Sequence, residues 1–165
     1  MTVLIRPLGS GDVPRLLDLI DGLADYERMP RPDPAARERL AADAASDPPR
    51  FRTLLADAEG QIVGYAIFFF TYSTFRARPS LYLEDIFVLP DQRGRGAGLA
   101  LFRAVAAEAV RQGCSRMEWQ VLAWNDPSIK FYERLGARHL GDWLPFRLDG
   151  EALLAVGTLE PPDRF

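Results

Sequence analysis

Leu89-Pro90-Asp91-Gln92-Arg93-Gly94-Arg95-Gly96-Ala97-Gly98-Leu99 stands between a run suited to a strand, Leu81 to Leu89, and one suited to a helix, Ala97 to Gln112. Glycines at 94, 96 and 98 let the backbone take positive φ angles and approach a ligand closely. Amides that open the following helix point outward, and the helix dipole reinforces them as a place for an anion. Arg93 and Arg95 add positive charge. Diphosphate is the ligand such a loop suits best; a glycine-rich turn that holds nothing is the plainer alternative. A Walker A loop needs Gly-Lys-Ser/Thr at its end, and here Gly96 is followed by Ala97 and Gly98. A dinucleotide fingerprint needs G-x-G-x-x-G, and the position after Gly94-Arg95-Gly96-Ala97-Gly98 is Leu99. The pattern that is satisfied is R-x-x-G-x-G, on Arg93, Gly96 and Gly98.

At the start of the chain, Thr2 to Arg6 alternates as a strand and stops at Pro7. Ser10-Gly11-Asp12 offers capping oxygens to an amphipathic helix carrying Leu16, Leu17, Ile20 and Leu23, to about Tyr26. Asp33-Pro34 opens a second helix to about Ala45, and Pro48-Pro49 ends it. Phe51 to Ala56 and Ile62 to Tyr72 read as strands joined by the turn Asp57-Ala58-Glu59-Gly60. Past the loop, Leu99, Phe102, Ala106, Ala109 and Val110 mark one helix face, and Arg116 to Leu122 is strand-like. Asn125-Asp126-Pro127 starts a short helix through Phe131 and Leu135, stopped by Gly136. Two last strands are expected at Ala137 to Leu140 and Leu153 to Thr158. No linker, repeat or low-complexity stretch interrupts the series. The expectation is one α/β (α+β) domain over 1–165, a mixed sheet of about seven strands flanked by about four helices.

Composition narrows the function classes. The chain has 165 residues, 48% of them hydrophobic, enough for one sizeable core. A net charge of −3 gives no general attraction to nucleic acid or anionic membrane. Cys114 is the only cysteine and His139 the only histidine, so neither a disulfide nor a zinc cluster is expected. The first residues form too short an apolar run for a signal peptide, and the stretch Tyr65 to Phe70 is far below membrane-spanning length. These readings together predict a metal-free cytoplasmic protein.

Two neighbours of the loop sharpen its meaning: Leu81-Tyr82-Leu83-Glu84-Asp85 upstream, and Trp124-Asn125-Asp126-Pro127-Ser128-Ile129-Lys130-Phe131-Tyr132 with Gly136-Ala137 downstream. With R-x-x-G-x-G between them, the chain resembles the GNAT N-acetyltransferase superfamily, and within it the diamine (spermidine/spermine, thialysine) acetyltransferases. Asp25-Tyr26-Glu27 and Phe70-Thr71-Tyr72 extend the likeness. The resemblance implies acetyl-CoA as co-substrate, lying between two splayed parallel strands at Leu81–Leu89 and Arg116–Leu122. Backbone groups of Ile86, Phe87 and Val88 would pair with the pantetheine arm. Arg93, Gly94, Arg95, Gly96, Ala97, Gly98 and Leu99 would hold the diphosphate, and Asn125, Asp126, Pro127 and Ser128 would line the cofactor's far side. It further implies a primary-amine acceptor met by Tyr26, Glu27, Glu84, Glu118, Trp119 and Gln120, and a homodimer in which Leu153-Leu154-Ala155-Val156 takes part.

Transfer to an amine needs a neutral nucleophile, whereas an alkylamine with a pKa of about 10.4 is almost wholly protonated near neutrality. Glu84 is the candidate base, acting through water, on the reasoning that alternation sends only one of Glu84 and Asp85 toward the site. Tyr132 takes the role of general acid toward the leaving thiolate on the strength of the resemblance, beside a Phe131 better suited to the core. Polyamine enzymes carry an acidic residue and a tryptophan after the Thr-Tyr pair; Ser73 and Phe75 stand there in this chain. That departure favours shorter amines or lysine-like amino acids over spermidine. A protein amine as acceptor, and an acetyl-CoA-binding module without catalysis, stay open as alternatives.

Overall fold

The computed structural model describes residues 2–159. They fall into two compact units, one ending at Leu122 and one beginning at Ala123. The first is built on a mixed sheet whose strands lie in chain order: β1 (Val3–Pro7), β2 (Arg52–Ala58), β3 (Gln61–Ser73), β4 (Arg78–Val88) and β5 (Met117–Glu118). The pairings from β1 to β4 are antiparallel, and β5 joins β4 in parallel. Helices α1 (Val13–Glu27) and α2 (Pro34–Ala45) separate β1 from β2, and α3 (Ala97–Arg111) separates β4 from β5.

Local chemistry explains the boundaries. Asp33 Oδ1 accepts from the Ala36 amide at 2.7 Å, and Pro34 sits in the first turn, so α2 begins where Asp33-Pro34 predicts. The β2–β3 hairpin turns on Glu59 and Gly60 with φ of +56° and +84°. β3 and β4 approach so closely that a Cβ on Gly64 would stand 2.6 Å from the Phe87 carbonyl oxygen. One side of the sheet packs on Leu101, Val105 and Ala109 of α3, and the other packs on Leu16 and Leu19 of α1.

The feature that most affects the site is an irregularity in β4. Ile67 pairs with Asp85 but Phe68 pairs with Leu83, which leaves Glu84 as an extra residue in a β-bulge. Leu81 and Leu83 therefore share the α3-side core with Ile86 and Val88, while Phe87 belongs to the α1-side core with Tyr65 and Ile67. Simple alternation along Leu81–Leu89 does not hold.

Three expected strands differ. Of Arg116–Leu122 only Met117–Glu118 is in the ladder, opposite Leu81 and Tyr82. The Leu81 amide donates to the Arg116 carbonyl at 3.1 Å and the Ser115 amide to Pro79 at 2.9 Å; beyond Glu118 the pairing stops while β4 continues to Val88. In the second unit, α4 (Asp126–Arg134) follows its predicted start, but 137–140 has no regular structure. The expected strand at Leu153–Thr158 is corrected to a helix, α5 (Gly150–Gly157). Glu151, Ala152, Leu153, Leu154 and Ala155 are strong helix formers, and a short apolar run without periodicity does not separate strand from helix. Among the described residues the sheet thus has five strands where about seven were expected, with five α-helices in place of about four.

Candidate active site

The loop after β4 is held by its own chain. The Leu89 amide donates to Val63 at 2.9 Å, and a single 3-10 turn over Pro90–Gln92 brings the Gln92 amide to the Leu89 carbonyl at 2.9 Å. Gly94 and Gly96 take φ of +74° and +90°, the left-handed region that an L side chain disfavours. The Ala100 amide donates to Gly96 at 2.9 Å and so begins the α3 ladder. The amides of Ala97, Gly98 and Leu99 precede that first bond, which is where a helix offers N–H groups outward. Gly98 differs from its two neighbours. It lies within α3, and a Cβ there would meet only Val88 Cγ2 at 3.8 Å, an ordinary contact.

Arg93 and Arg95 are placed differently from each other. Arg93 Nε donates to the Val88 carbonyl at 3.0 Å, and its guanidinium lies 4.4 Å from the centre of the Tyr26 ring and 5.6 Å from that of Phe87. Arg95 bonds Gln92 Oε1 at 3.3 Å on the exposed side of the loop. Ile86 is half-buried and Phe87 and Val88 are buried, at the end of β4 beyond the reach of its pairing with β5.

Asp85 is the carboxylate most affected by its surroundings. Glu84, the extra residue of the bulge, is exposed. Asp85 turns to the α1 side, where the Tyr65 hydroxyl donates to Oδ2 at 3.4 Å. Burial, then the charge of Glu84, pushes Asp85 up to about 6, with the Tyr65 hydrogen bond acting against the rise and Glu27 adding to it. Burial also raises Glu27. Tyr65 is fully buried, and burial followed by the Asp85 charge lifts its hydroxyl well above the usual phenol value. Across the sheet, Glu118 pairs in register with Tyr82, whose hydroxyl is raised by burial and then by Glu84 and Glu118. Glu118 itself holds Arg116 Nε at 3.0 Å. Asp85 thus feels both Glu84 and Glu27, and the Tyr82 hydroxyl feels both Glu84 and Glu118.

The other predicted acceptor residues separate. Trp119 packs its ring edge-on against Phe102 at 5.3 Å, on the α3 side of the sheet, and Gln120 is exposed past the end of β5. In the second unit, Asn125 Oδ1 accepts from the Ser128 amide at 3.4 Å and caps α4, with Asp126 and Pro127 in its first turn. Tyr132 is the more buried of the aromatic pair, 9% exposed, and meets the half-buried Phe131 at 5.3 Å; the expectation that Phe131 takes the inward place is not what the helix shows. Tyr65 was not foreseen from the sequence, and Asp85 was weighed there only as the alternative to Glu84. A tyrosine amid the apolar alternation of β3 was the available signal, because a buried hydroxyl requires a partner.

A profile described as the acetyltransferase (GNAT) family matches residues 16–137. The thialysine N-epsilon-acetyltransferase of Sus scrofa is 39% identical over 163 residues, covering 92% of this chain and 95% of that protein. The L-ornithine N5-acetyltransferase of Arabidopsis thaliana is 42% identical over 98 residues, covering 59% of this chain and 43% of that one. Among solved structures, an integron cassette protein of V. cholerae superposes with a TM-score of 0.80 at 23% identity, over 96% of this chain and 99% of that one, a likeness of fold.

Proposed function

The chain belongs to the GNAT acetyltransferase family and is an N-acetyltransferase; from that premise we propose that it moves the acetyl group of acetyl-CoA to the primary amine of a small cationic acceptor, a diamine, polyamine or lysine-like amino acid. The observation that carries this reading is the early end of the β4–β5 ladder. β4 pairs only Leu81 and Tyr82 with β5, continues to Val88, and runs directly into Gly94–Leu99. An amide-bearing pantetheine arm suits a strand edge with ladder groups to offer, here near Ile86, Phe87 and Val88. A diphosphate suits the helix amides at the edge's end. Asn125, Asp126, Pro127 and Ser128 complete the cofactor set in this proposal.

The acidic groups support a cationic acceptor: the charges of Glu84 and Glu27 raise Asp85 and those of Glu84 and Glu118 raise the Tyr82 hydroxyl, and a bound ammonium would offset those charges. Glu84, exposed at the bulge, takes a proton from the ammonium through water. The freed amine attacks the thioester carbon, a C–N bond forms, the C–S bond breaks, and Tyr132 donates its proton to the departing thiolate. The second proton lost by nitrogen restores Tyr132, so each turnover releases one proton net. Tyr26, Glu27 and Glu118 border the acceptor in this proposal, while Trp119, packed on Phe102 on the α3 side, and Gln120, past the end of β5, stand apart from it. The names of the relatives, a thialysine and an ornithine acetyltransferase, support an amino-acid acceptor with a side-chain amine. Ser73, buried where polyamine enzymes carry an acid, points the same way.

We further propose a cytoplasmic homodimer. Trp143, Leu144 and Phe146 are 75%, 77% and 93% exposed, and Leu153, Leu154 and Val156 of α5 are also exposed, an apolar surface of the kind that marks an interface. The deciding experiment is CoA release from acetyl-CoA across thialysine, ornithine, lysine, spermidine, short diamines and a lysine-bearing peptide. Turnover with one small amine, lowered about 100-fold or more in kcat by Tyr132→Phe with acetyl-CoA affinity kept, is the expected result. Turnover with the peptide alone would move the acceptor to protein, and tight acetyl-CoA binding without turnover would leave a binding module.

A further inference from the structure

Charge alone would send Arg93 to the diphosphate. Its side chain is engaged elsewhere, with partners from two elements. Its Nε holds the Val88 carbonyl at 3.0 Å, which fixes the guanidinium plane to the end of β4. Its Cζ lies over the ring of Tyr26, 4.4 Å from the centre, on the last turn of α1. A guanidinium can stack through its face while donating through its edge, and an ammonium cannot do both. Tyr26 in turn stands at a firmly ended helix. Arg28 takes φ of +59°, and the amides of Arg28 and Met29 return to Asp25 and Ala24 at 3.2 and 2.9 Å.

We propose that Arg93 is a positioning residue that couples the diphosphate loop to the acceptor end of α1, and that it is not a ligand of the diphosphate. The inference rests on the reading of Gly94–Leu99 as the acetyl-CoA loop and of Tyr26-Glu27 as part of the acceptor border. When the diphosphate fixes the glycines, the Arg93 backbone is fixed with them, and its side chain carries that order to Tyr26 and Glu27. An amine held at Tyr26-Glu27 steadies the loop by the same contact. Linkage makes the effect reciprocal: CoA tightens amine binding by the factor by which the amine tightens CoA.

The test measures CoA affinity calorimetrically with and without thialysine, in the wild type and in Arg93→Met, Arg93→Lys, Tyr26→Phe and Tyr26→Leu. Coupling of about fivefold or more is expected in the wild type and in Tyr26→Phe, which keeps the ring. It should fall to within about twofold of none in both Arg93 variants and in Tyr26→Leu, and Arg93→Met with Tyr26→Leu should lose no more than either alone. CoA affinity without amine should change less than about threefold in the Arg93 variants, because no phosphate contact is removed. Affinity lowered tenfold or more in Arg93→Met and restored by Arg93→Lys would overturn the proposal in favour of a phosphate ligand. Hydrogen exchange separates this failure from failure of the substrate reading. CoA alone should slow exchange of the Arg28 and Met29 amides in the wild type and not in Arg93→Met. That difference, seen where thialysine binds to none of the proteins, sinks the acceptor assignment and upholds the coupling; its absence overturns the coupling whatever the amine does.

Discussion

The Tyr65 hydroxyl donates to Asp85 Oδ2 at 3.4 Å from a fully buried ring, so an acid held at about 6 and a phenol raised far above its usual range share one contact. The tyrosine's bond favours the charged carboxylate, burial and the neighbouring charges of Glu84 and Glu27 disfavour it, and burial is the largest influence. This balance has a measurable sign.

Because Asp85 ionises less readily folded than unfolded, the native state binds the extra proton between about pH 4 and pH 6, and stability falls as pH rises through that window. Asp85→Asn keeps an acceptor for Tyr65 and removes the titration. Urea unfolding should find the variant equal to wild type near pH 4 and more stable above pH 6, by at most roughly 3 kcal/mol. A less stable variant at pH 7 would mean that the ionised carboxylate is itself stabilising.

Gly98 separates fold from ligand. It lies in α3, and a Cβ would meet nothing closer than 3.8 Å, so Gly98→Ala should leave stability unchanged or raise it by up to about 1 kcal/mol. A methyl group at the helix entrance should nevertheless weaken acetyl-CoA binding by about tenfold, read by titration calorimetry. Retained affinity would remove Gly98 from the cofactor set.

Gly64 has the opposite character. A Cβ would stand 2.6 Å from the Phe87 carbonyl oxygen and 3.0 Å from Val88 Cγ2, and the backbone atom cannot swing aside, so Gly64→Ala should lower unfolding free energy by about 3 kcal/mol. Chemical denaturation measures it, and an unchanged midpoint would show that β3 and β4 part easily there.

The apolar surface of the second unit makes a prediction about mass. Light scattering on a sizing column should give about twice 18.5 kDa, and Leu144→Asp combined with Phe146→Asp should return it to the single-chain value. Both side chains are exposed, so their replacement should alter chain stability by no more than about 0.5 kcal/mol each. A single-chain mass for the unmodified protein would dismiss the dimer.

Legibility in the sequence followed the range of the forces involved. The Asp33-Pro34 cap and the glycine loop are local, and the residues that make them are adjacent, so both read directly. The bulge at Glu84 is different. Leu81 and Leu83 before it and Ile86 and Val88 after it are all apolar, and with Phe87 apolar as well either phase suits the second half of the run, so Leu81–Leu89 reads as one unbroken strand. Without the bulge, the assignment of Glu84 and Asp85 to opposite sides rested on an alternation that the strand does not keep. Arg93 is a related case: its charge is plain in the sequence, but its stacking on Tyr26 depends on where α1 ends beside β4. The apolar Leu153-Leu154-Ala155-Val156 run reads as a strand only if a sheet edge receives it, and it forms α5.

At Glu84 the presence of a residue and the nature of its side chain serve different masters. The side chain is exposed, and exchanging it should leave the packing of Leu83 and Asp85 as it is. Deleting the position would throw the first half of β4 out of phase with the second, turning Leu81 and Leu83 away from α3 while Ile86 and Val88 stayed. The strand therefore behaves as two reading frames joined by a one-residue splice. Chemistry can be varied at that splice without touching the core, and the fold depends on its count alone.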